Sequence, residues 1–191
     1  GSVLVSAGQT RVLCTAMVED RVPRHCLQEN IGWVTCEYCM LPSANPDRKS
    51  LQGGPDNRSR EIQRLIGRSL RACVNLGHIG QRTVWMDCNV IQADGGTRTA
   101  SVTGAFVALV DALWKLREEE KIEVLPIKHG VAAVSVGVVG GRPLLDLTKE
   151  EDQAAGVDVN VVMTHSGRLI EVQGTAEGEP FAREQMGEML D

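Results

Sequence analysis

An α+β fold built from two related halves is what this sequence predicts, and three observations predict it. Short β-rich segments come in hairpin-like pairs, two long segments carry a helical period instead, and the order hairpin, further strand, helix occurs twice along the chain. With 191 residues there is room for one sizeable core, so a single domain spanning residues 1–191 is expected.

The elements follow in order. VLVSAGQTRVLCTAMVE reads as two strands around a Gly8-Gln9 turn, and a third strand runs from about Trp33 to Leu41. From Pro42 to Arg58 the chain is rich in Pro, Gly, Ser, Asn and Asp without a hydrophobic period, which predicts a long exposed loop. From Ser59 onward Ile62, Leu65, Ile66, Leu70, Cys73 and Val74 fall at helical spacing, with Arg60, Arg64, Arg68 and Arg71 on other faces. Thr83–Ala93 reads as a strand. Ala100–Arg117 reads as a second helix that buries Val102, Phe106, Leu109, Leu113 and Leu116. After Pro126 the same grammar returns: VAAVSVGVV, a Gly140-Gly141 turn and RPLLDL form one hairpin, and VDVNVVMTHSGRLIEVQG forms another around Ser166-Gly167. A helix from Glu184 to Leu190 is cut short by the end of the sequence.

Composition is that of an ordinary soluble protein, with 42% hydrophobic and 24% charged residues. No run approaches the roughly 18 uninterrupted apolar residues of a membrane span, and the first residues lack a basic segment leading into an apolar one. A cytoplasmic protein with no membrane partner is therefore expected. Cys14, Cys26, Cys36, Cys39, Cys73 and Cys88 lie mostly within apolar runs and read as reduced, buried thiols. Cys36 and Cys39 match C-x-x-C, but on a strand positions three apart face opposite ways, which disfavours a shared metal. The four histidines, His25, His78, His129 and His165, show no metal-binding or triad spacing.

The formal net charge of -5 argues against a general nucleic-acid binder, but the charges are segregated. Asp47–Arg71 carries seven basic residues against three acids, and Asp146–Asp191 carries eleven acids against three bases. That polarity suits either an anion site beside a metal site or head-to-tail self-association.

Three constellations could carry chemistry. Asp94-Gly95-Gly96-Thr97-Arg98, between a strand end and a helix start, offers glycines for close backbone approach, free helix amides and a guanidinium fork for phosphate oxygens. The alternative is a plain helix cap by Thr97 or Thr99 with a surface arginine. It has no P-loop lysine and does not fit the dinucleotide fingerprint. Arg58-Ser59-Arg60 stands at the start of the first long helix, where the helix dipole also favours an anion; a solvated helix end is the alternative. The third group is acidic: Asp146, Glu150-Glu151-Asp152 and Asp158 in or beside a loop between two strands. These could hold magnesium, although Glu150 and Glu151 read better as surface charge.

The stretches EIQRLIGRSLRA (61–72), QADGGTRTASVTGAFVAL (92–109), VDVNVVMT (157–164) and GRLIEVQGTAEGEPF (167–181) make the whole chain resemble the bacterial RNase PH family of phosphorolytic nucleases, relatives of polynucleotide phosphorylase and of exosome ring subunits. The resemblance implies an RNase PH-like fold of two βαβ-type halves, with mixed sheets packed against helices. It also implies a 3′-to-5′ exoribonuclease that trims transfer-RNA precursors and other RNA with inorganic phosphate and releases nucleoside 5′-diphosphates. Carried over, the phosphate site falls on Arg58, Gly96, Thr97 and Arg98, with Arg58 rather than Arg60 chosen by its spacing from Glu61. The metal-binding carboxylates fall on Asp152 and Asp158, with Asp146 nearby, and the catalytic group is Asp152, Asp158 and Arg98. Inorganic phosphate as co-substrate, Mg2+, RNA as partner and a homo-hexamer, a trimer of dimers, are implied with it. RNA contacts are expected at Arg48, Lys49 and Arg60. The family's arginine-bearing N-terminal strand and long C-terminal helix are expected to be truncated here. A non-catalytic RNA-holding ring subunit and a metal-dependent hydrolase are the rival readings. Retention of Arg98, Asp152 and Asp158 disfavours the first, and a paired arginine clamp that water would not need disfavours the second.

Overall fold

A computed structural model describes residues 1–48, 50 and 54–191. Lys49, one of the expected RNA contacts, lies outside the described residues.

The first half runs β1 (Ser2–Ala7), β2 (Thr10–Glu19), α1 (Arg24–Glu29), β3 (Trp33–Met40), α2 (Asn57–Cys73), β4 (Thr83–Gln92) and α3 (Thr97–Glu118). The second runs β5 (Val131–Val139), β6 (Arg142–Leu145), α4 (Lys149–Ala154), β7 (Val157–Thr164), β8 (Leu169–Ala176) and α5 (Arg183–Leu190). In the first sheet the strand order is β1-β2-β4-β3. Its β3 and β4 pair in parallel because α2 carries the chain back between them, which makes one βαβ unit. The second sheet, ordered β6-β5-β7-β8, is antiparallel throughout. The α+β expectation is met, with mixed strand pairing confined to the first half.

Alternation along the strands decides what faces the helices. Val12 and Cys14 of β2, Val34, Cys36 and Tyr38 of β3, and Val84, Met86, Cys88 and Val90 of β4 are buried, while their neighbours point outward. Helices α2 and α3 fill the space between the two sheets. Ile62, Leu65, Ile66 and Leu70 of α2 and Leu109 and Leu113 of α3 are fully buried there with Val162 of β7. Contact with both sheets is why α3 is apolar enough, by length and composition, to resemble a membrane span. On the far side of the second sheet, Val136, Val159 and Val161 pack under Met189 of α5.

Three local features depart from the sequence reading. The short α1 lacks an apolar period and buries only Cys26. Both long helices start earlier than expected. At α2 the Asp56 side chain accepts from Ser59 N at 2.7 Å and caps the end, and at α3 left-handed Gly96 precedes Thr97 directly. The acidic segment expected to be a loop is the helix α4. Its capping box, in which the Thr148 hydroxyl accepts from Glu151 N while the Glu151 carboxylate accepts from Thr148 N at 2.9 Å, explains why six residues suffice.

The six cysteines are unpaired, and burial pushes the Cys73 thiol up to about 11, which keeps it inert. Cys36 is buried on the helix-facing side, 3.8 Å from the Cys88 sulfur, whereas Cys39 faces the other way, as the strand geometry requires. Among the described residues no group of three or more His, Cys, Asp or Glu is arranged to hold a metal ion. The basic run is also less free than its charge suggests. Arg68 makes a two-pronged ion pair with Glu171 of β8, and Arg71 stacks 4.4 Å over the Trp33 ring and donates to Val34 O at 2.9 Å.

Candidate active site

One cleft of about 970 Å³ opens between the two halves, and it collects the residues that the sequence set far apart. Arg58 from the first turn of α2, Gly96, Thr97 and Arg98 from the start of α3, Asp152 from α4 and Asp158 from β7 all line it. Arg48 and Arg60 are exposed and are not among its lining residues, so of the two arginines flanking Ser59 it is Arg58 that enters the cleft.

The anion side is the N-terminus of α3. Gly95 and Gly96 both have positive φ, +74° and +54°, and Gly96 caps the helix with no side chain among the described residues bonded to its first amides. Neither Thr97 nor Thr99 caps those amides. The Thr99 hydroxyl instead donates to Gly96 O at 2.9 Å, which leaves the first-turn N–H groups for another acceptor. Arg98 is held at the edge of the cleft by Glu61, with Nη1 3.7 Å from the carboxylate oxygen and its own side chain 19% exposed. Thr97 is buried and accepts a hydrogen bond from the Tyr38 hydroxyl at 3.0 Å. Burial pushes the Tyr38 phenol up, while the charges of Arg58 and Arg98 pull it part of the way back. Both guanidinium groups therefore lie close enough to bear on one phenol oxygen.

The acidic side is fixed by two contacts to that same turn. The Lys149 amide donates to the Asp94 carboxylate at 3.3 Å, and a Cβ at Gly95 would stand 2.1 Å from Leu147 O. The Asp94-Gly95 turn thus abuts the segment that starts α4 and sets where Asp152 stands relative to Arg98. Asp158, half-buried on β7, has its carboxyl pushed above the ordinary range by burial first and by the Asp152 charge second. Arg98 and a hydrogen bond from Asn160 Nδ2, 3.4 Å away, pull the other way. Asp146, the third acid, is exposed in a left-handed conformation and faces Gly96 from outside the cleft lining.

Two mutually repelling carboxylates facing guanidinium groups and open helix amides are a donor set that suits magnesium, which commonly takes one or two carboxylates and completes its shell with water and substrate phosphate. The wider lining leans the same way, with Glu37, Asp56, Asp87, Asp152, Asp158 and Glu177 against Arg58, Arg98 and Lys149. Glu37 and Asp87 were not singled out in the sequence. They stand opposite each other on β3 and β4 and read there as ordinary outward strand positions.

Family models for the two domains of the 3′ exoribonuclease family match residues 1–114 and 129–191. A ribonuclease PH of Syntrophomonas wolfei is 53% identical over 194 residues, which cover 100% of this chain and 81% of that relative. Among solved structures, an Archaeoglobus fulgidus exosome with RNA bound to the active site matches with a TM-score of 0.81 at 22% identity, covering 100% of this chain and 77% of that one. An archaeal exosome core matches with a TM-score of 0.75 at 20% identity, covering 100% and 75%. At such identities the two structures speak for the fold alone.

Proposed function

This chain belongs to the 3′ exoribonuclease family, as a phosphorolytic 3′-to-5′ exoribonuclease of the ribonuclease PH type, and from that premise we propose how its cleft performs the reaction. The observation that carries the reading is the meeting of Arg58, Arg98 and the uncapped start of α3 with Asp152 and Asp158 in one cleft.

Inorganic phosphate binds between the two guanidinium groups and the Gly96 and Thr97 amides. There its charge is matched and its oxygen is aimed at the last phosphodiester of an RNA 3′ end. The bond from phosphorus to the 3′ oxygen breaks as the new P–O bond forms. A nucleoside 5′-diphosphate leaves, and the shortened RNA keeps a 3′ oxygen that must gain a proton. Arg98, between Glu61 and Asp158, also faces the charge that develops on the transferring phosphoryl group. Asp158, with its raised pKa, is the better proton carrier of the two acids, and exposed Asp152 is the more open ligand. Magnesium, held by Asp152 and Asp158, would supply Lewis-acid stabilisation of the departing oxygen.

The test is a short 3′-tailed RNA incubated with protein and magnesium, with and without inorganic phosphate. Diphosphates released only when phosphate is present agree with this mechanism, and monophosphates would overturn it.

The same reading includes a cytoplasmic homo-hexamer, a trimer of dimers, that trims transfer-RNA precursors and ribosomal RNA 3′ ends. In this reading Arg48, Lys49 and Arg60 act on the RNA backbone, where contacts are sequence-independent and salt-sensitive. Charge reversal at Arg48 and Lys49 is expected to weaken binding of long RNA and to lower its salt slope by about one per residue, with the KM for phosphate unchanged. Equal losses for RNA and phosphate would remove these residues from the RNA path.

A further inference from the structure

We propose that Tyr38 is a positioning residue for the phosphate nucleophile: its buried hydroxyl donates to Thr97 Oγ1 and so turns the Thr97 hydroxyl hydrogen toward the anion. The inference rests on the reading of the cleft as a phosphate site and adds a layer behind it.

A threonine hydroxyl has one hydrogen and two lone pairs. The Tyr38 hydroxyl, 3.0 Å away, takes a lone pair of Thr97 Oγ1. Among the described residues, none accepts the hydrogen that Thr97 itself carries, although Thr97 is only 7% exposed and lines the cleft. A nearly buried donor with no protein acceptor needs one from outside, and the chemistry facing it is that of the two arginines and the open helix amides. Tyr38 is held for this task. It is 3% exposed on the helix-facing side of β3, and its register partner across the sheet is Cys88, which is also buried. Ser101, fully buried one turn along α3, donates its hydroxyl to Thr97 O at 2.7 Å and fixes the residue from the other side. Burial keeps the phenol protonated, so it remains a donor through the working pH range. With tyrosine donating, Thr97 presents a donor to phosphate; without it, the hydroxyl can turn inward and present lone pairs, which repel an anion.

The test is a double-mutant cycle on KM for inorganic phosphate at saturating RNA. Tyr38→Phe keeps the ring and is expected to raise that KM about fivefold, the scale of one hydrogen bond, with kcat and the KM for RNA within about twofold of wild type. Thr97→Val is expected to raise it by at least as much, and adding Tyr38→Phe to Thr97→Val should then change nothing further. Thr97→Ser, which keeps the hydroxyl, should recover most of the phosphate affinity that Thr97→Val loses. Full additivity of the two changes, an equal rise in the KM for RNA, or an unchanged KM in Tyr38→Phe would each overturn the inference. If Tyr38→Phe does not fold, Thr97→Val with a wild-type phosphate KM overturns it equally. Arg98→Gln separates the two levels. If it raises the phosphate KM while the Tyr38 and Thr97 variants do not, the positioning role falls and the phosphate site stands. If Arg98→Gln also leaves that KM unchanged, the phosphate site falls with it.

Discussion

An Asp158→Asn variant is expected to lose about 10³-fold in phosphorolysis and yet to melt at a higher temperature than the wild type at neutral pH. The activity loss follows from removing the half-buried carboxyl best suited to handle the proton of the departing 3′ oxygen, together with one of two carboxylates available to magnesium. The gain in stability has a separate cause. In the folded protein the Asp158 carboxyl is pushed above its ordinary range by burial and by the Asp152 charge, so its ionised form destabilises the native state. A group raised in this way contributes stability below its unfolded value and loses that contribution as pH rises through its folded value. At neutral pH the wild type therefore carries the cost and asparagine does not. Because the residue is only partly buried, solvent screens the effect, and a rise of a few degrees is the expected scale. The two melting temperatures should converge as pH falls into the ordinary carboxylate range, where Asp158 is protonated in both states. The asparagine can still accept from Asn160 Nδ2, so the local hydrogen bond survives the change. Melting curves between about pH 4 and 7.5, with and without magnesium, check this. A melting advantage that does not change with pH, or full retained activity, would refute the role given to this acid.

Much of the architecture is legible in the sequence because it rests on local signals. Ile62, Leu65, Ile66 and Leu70 mark α2 by period alone, and the glycine pairs at 95–96 and 140–141 mark turns where the structure has positive φ. Other elements hid behind weaker signals. The six residues of α4 are too few for a period, and only Thr148 and Glu151, three apart, announced it. Tyr38 carries no sequence signal of a role at the site, since nothing local says that its hydroxyl meets Thr97 from 59 residues away. Charge counting overstated the basic patch. Arg68 is spent on Glu171 and Arg71 on Trp33 and Val34, which leaves Arg58 and Arg98 as the pair that enters the cleft. What the sequence could not display at all is the distance between the anion side and the acidic side, because that depends on how closely the two halves approach at the Asp94-Gly95 turn.

That approach is at Gly95, and Gly95→Ala is expected to be among the most damaging single changes in the protein. Two independent penalties coincide there. A φ of +74° is a conformation in which a β-carbon costs about 1–2 kcal/mol. The added atom would also stand 2.1 Å from Leu147 O and 2.9 Å from Thr148 C, which are backbone atoms that cannot swing aside as a side chain does. Relief requires the segment leading into α4 to retreat. Leu147 is 2% exposed and its amide donates to Ser135 Oγ at 3.2 Å, so the retreat disrupts packing in the second half as well. The combined cost should reach about 3 kcal/mol or more, seen as a lower unfolding midpoint in urea. The functional consequence is distinct from the loss of stability. Moving the start of α4 away carries Asp152 from Arg98 and, in the proposed mechanism, separates the groups that act on the transferring phosphoryl from those that hold the nucleophile. Under conditions where Gly95→Ala remains folded, kcat should fall by about 10²-fold, the scale of a displacement of roughly 1 Å, while phosphate still binds at the start of α3. An alanine variant with wild-type stability would show that the two halves are not held at this distance, and one with normal kcat would show that the distance does not govern the chemistry.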